Sequence, residues 1–404
     1  MLCLDEECFG SLSCSALSSL RERKYELCLD VVQVICDFCD LQTQVSLISS
    51  CEEYYDNLKI RELDCSGGIG HRITQKIILQ KKFDRLQILN ACFNTQITSV
   101  NHLQNTLKEL NCEWHCGIDQ KGINDLKVLQ KLDTNGNSKI TSVNHLASTL
   151  IELCCTRGYG EDCGIDQGGI KDLKVLQKLY ASNNSKITSV NHLANTLVKL
   201  DCSKKNCGIN QEGINDLKVL QKLYAFNNSK ITSINHLAST LIELYCPGDC
   251  GIKQEGMKDL KILQILDASN NSKITKVNHL ANMLIKLKCT FNCGIDQSGI
   301  KDLKVLQTLD ANNNSKITTV NHLSNTLIEL TCGFNCGIDQ SGIKDLKVLQ
   351  KLDAESNCLI NNVNHLANTL KELNCSWGCG IGPKGIDHLK DLKLYNYCNR
   401  KFFS

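Results

Sequence analysis

The chain has 404 residues, of which 42% are apolar and 22% charged, and its formal net charge is +2. That balance offers no electrostatic footprint for nucleic acid, and no run of about 18 apolar residues is present that would span a membrane. Aromatic residues make up 5% and prolines number two, too little bulk for a large conventional core but suited to thin, leucine-sized layers.

In chain order, residues 1–24 are expected to be poorly structured. Their opening, MLCLDEECFGSLSC, is acidic early and lacks the basic start and apolar core of a secretory signal. The 26 cysteines are therefore expected as free thiols in a reducing cytoplasm. Residues 25–60 read as two helices. Val31, Val34, Ile35 and Phe38 share one helical face, and Val45, Ile48, Cys51, Tyr55 and Leu58 share another, with a break at residues 40–43. Leu29, the V-V-x-x-I run through Val32 and Ile35, Leu41 and Val45 to Leu47 together resemble an F-box. Asp30 stands where that motif usually has proline, and Glu52 and Glu53 stand where a basic residue is common. The resemblance implies that Leu29, Val32, Ile35, Leu41, Val45 and Leu47 contact a Skp-type adaptor of a cullin–RING ubiquitin ligase. The plainer reading is a helical cap that seals the first repeat from water.

Residues 61–391 form a repeat array. Asn-His-Leu recurs with its histidine at His102, His145, His192, His236, His279, His322 and His365, mostly 43 residues apart. Cys-Gly-Ile recurs in step, from Cys116 to Cys379. Inside one period, Leu306, Leu309, Ala311, Asn314 and Ile317 spell L-x-x-L-x-A-x-x-N-x-x-I. Leu327, Leu330, Cys332, Asn335 and Ile338 repeat that frame with cysteine in the alanine slot. Each period is thus two short units, fourteen in all from Leu86 to Leu370, preceded by a degenerate unit at Ile60, Leu63 and Cys65. His115 and Gly378 stand in the asparagine slot of two units, and the unit from Leu150 carries an insertion around Arg157 to Asp162, including Tyr159.

This frame resembles the leucine-rich-repeat family. The resemblance implies an α/β solenoid with short parallel strands on a concave face, 3₁₀ or irregular turns on a convex face, and an asparagine ladder. It also implies a protein client on the concave face, and with the F-box-like segment a substrate-recognition subunit of a ubiquitin ligase. Similar combinations occur in large DNA viruses, which would place such a protein in the host cytoplasm. The alternative is a free-standing scaffold or decoy. Residues 392–404 read as a worn final turn that caps the stack.

Fourteen cysteines fall in two columns. One column takes the inward strand slot, where a small buried hydrophobe fits. The chain turns between the two columns, so paired thiols are expected to diverge, and neither metal nor cofactor is expected. The seven repeat histidines sit between core positions and are expected to point outward. A ladder of this kind is not the convergent nucleophile–base site that catalysis needs, so no enzyme activity and no catalytic residue are expected.

Specificity is expected where the repeat varies. Residues before the strand leucine mostly alternate Lys and Glu, so opposite charges should pair across strands. Residues after it include Tyr180, Tyr224 and Tyr245, with Phe226 two residues beyond Tyr224 and Lys178, Lys199 and Lys222 alongside. Aromatics bordered by cations are typical of interaction hot spots, which makes these seven residues the candidate client-binding site.

Overall fold

A computed structural model describes residues 29–37, 39, 41–50, 54, 57–67, 72–158, 160–389 and 392–395. The chain divides into two compact units, 1–176 and 177–404. The segment read as 1–24 lies outside the described residues.

The first unit opens with helices α1 (Leu29–Asp37) and α2 (Leu41–Ile48). Both bury an apolar stripe: Val32 and Cys36 on α1, Leu47 and Ile48 on α2. Gln33 ties α1 to the repeats. Its Nε2 donates to the Lys59 carbonyl at 2.9 Å and its Oε1 accepts from the Lys59 N–H at 2.8 Å. Arg61 pairs with Asp37 at 3.2 Å. These contacts satisfy backbone that an uncapped first turn would leave open to water.

Five three-residue strands follow: β1 (Glu62–Asp64), β2 (Ile88–Asn90), β3 (Glu109–Asn111), β4 (Lys131–Asp133) and β5 (Glu152–Cys154). They pair in parallel, in chain order, with leucine opposite leucine. Among the described residues, the second unit holds eleven more. These are β6 (Lys178–Tyr180), β7 (Lys199–Asp201), β8 (Lys222–Tyr224), β9 (Glu243–Tyr245), β10 (Ile265–Asp267) and β11 (Lys286–Lys288). The last five are β12 (Thr308–Asp310), β13 (Glu329–Thr331), β14 (Lys351–Asp353), β15 (Glu372–Asn374) and β16 (Lys393–Tyr395). They too pair in parallel with unbroken register.

Strand period two puts the central leucine inside and its two neighbours outside. Leu309 and Ala311 are fully buried while Thr308 and Asp310 are half-buried. Burying one such leucine is worth about 1.5–3 kcal/mol. Every Asn-His-Leu triplet forms one turn of 3₁₀ helix, with its leucine buried. The degenerate unit at Leu63 is a full member of the stack, and the worn final turn adds β16.

The ladder between turns differs from the expected one. In alanine turns the asparagine is inside: Asn314 is 1% exposed, its Nδ2 donates to Cys289 O at 2.9 Å and Ile295 O at 3.1 Å, and its Oδ1 accepts from Lys316 N. In cysteine turns the expected partner, Asn335, is exposed, and the next residue, Cys336, goes inside. An asparagine in one turn therefore alternates with a thiol in the next. His115, read as a gap in the ladder, is likewise exposed while Cys116 is buried.

The thiols converge rather than diverge. Cys246 and Cys250 are both buried, as are Cys289 and Cys293, and the charge of the second thiol in each pair opposes ionisation of the first. The strand slot and the turn slot both face the same narrow core, so the turn between them brings the sulfurs back together. Both cysteines of the 246/250 pair are free and buried.

The seven repeat histidines are exposed, as expected, and several also reach a neighbouring turn. His145 Nε2 meets the Ile123 carbonyl at 3.0 Å, His236 the Ile214 carbonyl at 3.0 Å and His322 the Ile300 carbonyl at 3.0 Å. A carbonyl can only accept, so each Nε2 carries the proton. The asparagine before each histidine reaches the other way: Asn321 Nδ2 donates to Ser341 O at 2.8 Å. A glutamine ladder runs beside them. Gln297 Oε1 accepts from the Thr318 and Thr319 N–H groups at 3.0 and 2.9 Å.

Turns approach closely at the glycine of Cys-Gly-Ile. A Cβ on Gly294 would lie 2.5 Å from both the Ser272 and Ile274 carbonyl oxygens.

Candidate functional site

On the outer strand face, the row before the central leucine is mostly an ion-pair ladder. Lys131 lies 3.8 Å from Glu109 and 4.0 Å from Glu152, and Lys351 lies 3.8 Å from Glu329 and 3.3 Å from Glu372. The expected cross-strand pairing is present. Each exposed pair contributes a fraction of a kcal/mol.

The pattern changes at β6 to β9. Lys178 is in register with Lys199, and Lys199 with Lys222, before Glu243 restores alternation. The row after the leucine there reads Tyr180, Asp201, Tyr224, Tyr245. The Tyr224 and Tyr245 rings stack with centroids 4.4 Å apart and planes 2° from parallel. Lys199 Nζ stands 4.8 Å from the Tyr180 ring and 5.1 Å from the Tyr224 ring, bridging the strand between them. Neighbouring strands are about 4.8 Å apart, so adjacent tyrosines fall at stacking distance by construction. Such a pair adds about 0.5–1.5 kcal/mol beyond its buried area.

Glu243 closes one side of the patch. Its Oε1 pairs with Lys222 at 2.7 Å and its Oε2 accepts from the Tyr245 hydroxyl at 3.4 Å. Burial and the Glu243 charge push the Tyr245 hydroxyl up to about 12, so it stays a donor. Asp201 is turned to its own backbone, accepting from Ser203 N at 3.0 Å. Phe226 lies with Lys204 Nζ 4.5 Å from its ring.

Four of the seven expected residues, Tyr180, Lys199, Tyr224 and Tyr245, thus form one contiguous cluster. Lys222 joins it through Glu243, Lys178 borders it in register, and Phe226 lies beyond the strand end beside Lys204. The rings are half-buried against one another rather than freely exposed.

The N-terminal candidates are less accessible. Val32 and Leu47 are buried, Leu29 and Val45 are half-buried, and the side chains of Ile35 and Leu41 lie outside the described residues. At the insertion, Arg157 pairs with Asp162 at 2.9 Å and His115 with Glu161 at 3.1 Å. His115, Glu161 and Asp162 border a cleft of about 450 Å³ that Lys139 also lines. Tyr159 is outside the described residues.

A second surface escaped sequence reading. Phe291, Phe334 and Trp377 occupy the same position in successive cysteine turns, are 57%, 45% and 69% exposed, and have φ of +57°, +56° and +54°. Alanine turns place Asn270, Asn313 and Ser356 there. Bulky residues rarely adopt positive φ. The available signal was an aromatic two residues before the Cys-Gly-Ile of these three turns.

Among the described residues, no group of three or more His, Cys, Asp or Glu is placed to hold a metal ion. No described helix is long and apolar enough to cross a membrane.

No family model and no curated protein matches the sequence. Solved structures do resemble it. An internalin of Listeria monocytogenes strain 4b F2365 is 20% identical, over 74% of this chain and 89% of that one, with a TM-score of 0.48. The functional domain of InlJ from the same species, which includes a cysteine ladder, is 20% identical over 78% and 67%, at 0.44. The yeast Rad7–Elc1 complex gives 17% over 96% and 89%, at 0.41. The fold, seen in the leucine frame, the parallel three-residue strands and the 3₁₀ turns, is that of a leucine-rich-repeat solenoid.

Proposed function

We propose that the chain is a protein-binding solenoid whose recognition surface is the outer face of β6 to β9. Tyr180, Tyr224 and Tyr245 are its anchors, Phe226 flanks them, and Lys178, Lys199 and Lys222 border them. The observation that carries this reading is the Tyr224–Tyr245 stack with Lys199 over the neighbouring ring. Hot spots favour Tyr in well-packed settings, and rings already held by one another lose little freedom on binding. Elsewhere on this face several charges pair with one another, as Lys351 does with Glu329 and Glu372. A catalytic reading finds no support in the repeat histidines, several of which are committed to backbone carbonyls.

The test is site-specific photo-crosslinking. A crosslinking residue at position 224 is expected to trap a client, and one at position 310, on the same face further along, is not. Equal trapping at both positions would overturn the assignment.

The N-terminal helices carry the finer question of a ligase subunit. Gln33 and Asp37 face the first turn, which favours the cap. Docking of a Skp-type adaptor on Leu29 and Val45 is compatible with that cap. Mixing the full chain with purified adaptor decides it. A complex lost in Leu29→Asp makes the protein a substrate receptor, and no complex leaves the scaffold or decoy reading.

A further inference from the structure

We propose that the rim beside β13 to β15 holds an arginine side chain of a protein partner, with Phe334 and Trp377 on either side of the guanidinium and Glu355 between them. The site uses other strands than the β6–β9 face and does not depend on the reading of that face.

The argument starts from a spacing that the chain itself uses. Tyr180 and Tyr224 stand on strands two apart, and Lys199 from the strand between them sits 4.8 Å from one ring and 5.1 Å from the other. Strands are about 4.8 Å apart. Aromatics two turns apart therefore leave room for one cation, within the roughly 6 Å over which a ring face attracts it. Phe334 and Trp377 are also two turns apart, and both are exposed. Backbone bonds tie the turn between them to each: Phe334 N–H donates to Glu355 O at 2.7 Å, and Ser356 N–H donates to Ser376 O at 3.0 Å. Ser356 Oγ also donates to Trp377 O at 2.8 Å.

Here the middle turn supplies an acid instead of a lysine. The other alanine turns of the second unit have Ser182, Phe226, Ser269 and Asn312 where this one has Glu355. Among the described residues, the half-buried Glu355 carboxylate has no hydrogen bond or ion pair. Asp353, whose Oδ1 accepts from Glu355 N–H at 3.1 Å, adds a second carboxylate. A lysine found in earlier turns is also replaced. Lys273 and Lys316 donate to Cys250 O at 2.9 Å and Cys293 O at 3.1 Å, each two residues past the rim position. In the turn after Phe334 that lysine is Leu359. Two ring faces and an unpaired carboxylate thus meet where the chain has withdrawn its own ammonium.

A guanidinium suits this site because it is planar, stacks on aromatic faces and bonds a carboxylate with two prongs. Arginine is also enriched at protein interfaces. Phe291 does not extend the site, because Lys316 already occupies the turn between it and Phe334.

The experiment is fluorine NMR of the full chain labelled with fluorotryptophan, titrated with the blocked tripeptide Gly-Arg-Gly. The chain has two tryptophans, Trp114 and Trp377, and Trp377→Asn assigns their signals. Arginine peptide is expected to move the Trp377 signal and leave Trp114 in place. The same peptide with citrulline, a neutral shape match, should move neither. Glu355→Gln and Phe334→Asn should each weaken binding by about threefold, and together by about tenfold. Asparagine already fills the left-handed slot at Asn270 and Asn313, so Phe334→Asn keeps the turn. No movement at Trp377, or equal movement at Trp114, would overturn the site. Equal binding of the citrulline peptide would overturn the cationic occupant. Indifference to either Glu355→Gln or Phe334→Asn would overturn the sandwich.

Discussion

Asn314→Ala tests the ladder most sharply. The side chain is 1% exposed and makes three hydrogen bonds, to Cys289 O, Ile295 O and Lys316 N. Alanine leaves all three backbone groups without this partner. An unsatisfied buried group costs about 1–3 kcal/mol, and partial relaxation keeps the sum below the maximum, so about 3 kcal/mol is expected. Repeat arrays respond locally, because each turn contacts only its neighbours. The suitable assay is therefore hydrogen exchange read turn by turn. Amides from β11 to β13 should open about 100-fold more readily, at 1.4 kcal/mol per tenfold. Asn335 is the control. It fills the equivalent slot of the sequence frame but is exposed, and its alanine variant should change exchange by less than about 0.5 kcal/mol. Equal effects at Asn314 and Asn335 would refute the alternation of asparagine and thiol.

Gly294→Ala should lose about 1–3 kcal/mol of local stability, measured by the same exchange, because its Cβ would meet two carbonyl oxygens. Burial holds His102, His145, His236, His279 and His322 below their ordinary value of 6.5. The unfolded chain therefore binds more protons through that window, and stability rises with pH. It is fully present above 6.5 and is lost as the pH falls through the lowered folded values. A denaturation series from neutral to acidic pH should show this, with a shallower slope in a variant carrying Gln at positions 145, 236 and 322. Among the described cysteines, exposed Cys358 should alkylate well before buried Cys246 and Cys332, as mass spectrometry of timed labelling would read.

Much of this was legible in the sequence, for a physical reason. A turn that buries two leucines and a small residue at fixed spacing has little freedom, so the frame at Leu306, Leu309 and Ala311 locates a strand without further information. The candidate surface was legible because Tyr224 and Tyr245 break a repetitive row. What was not legible depended on contacts between turns. Asn335 and Cys336 are adjacent, and which of them faces inward is decided by how the preceding turn packs. His145 and Gln297 reveal their ties to other turns only when the carbonyls and amides of neighbouring turns lie beside them. The aromatics at Phe291, Phe334 and Trp377 occupy a left-handed position that glycine or asparagine would have announced and phenylalanine hides.

The central claim is that β6 to β9 form the recognition surface, and its most direct test is the affinity of Tyr224→Ala/Tyr245→Ala for a client trapped at position 224. Hydrogen exchange confirms the fold of the variant first. Two hot-spot tyrosines at about 2 kcal/mol each should weaken binding by roughly 100-fold or more. Unchanged affinity in a folded variant would contradict the account.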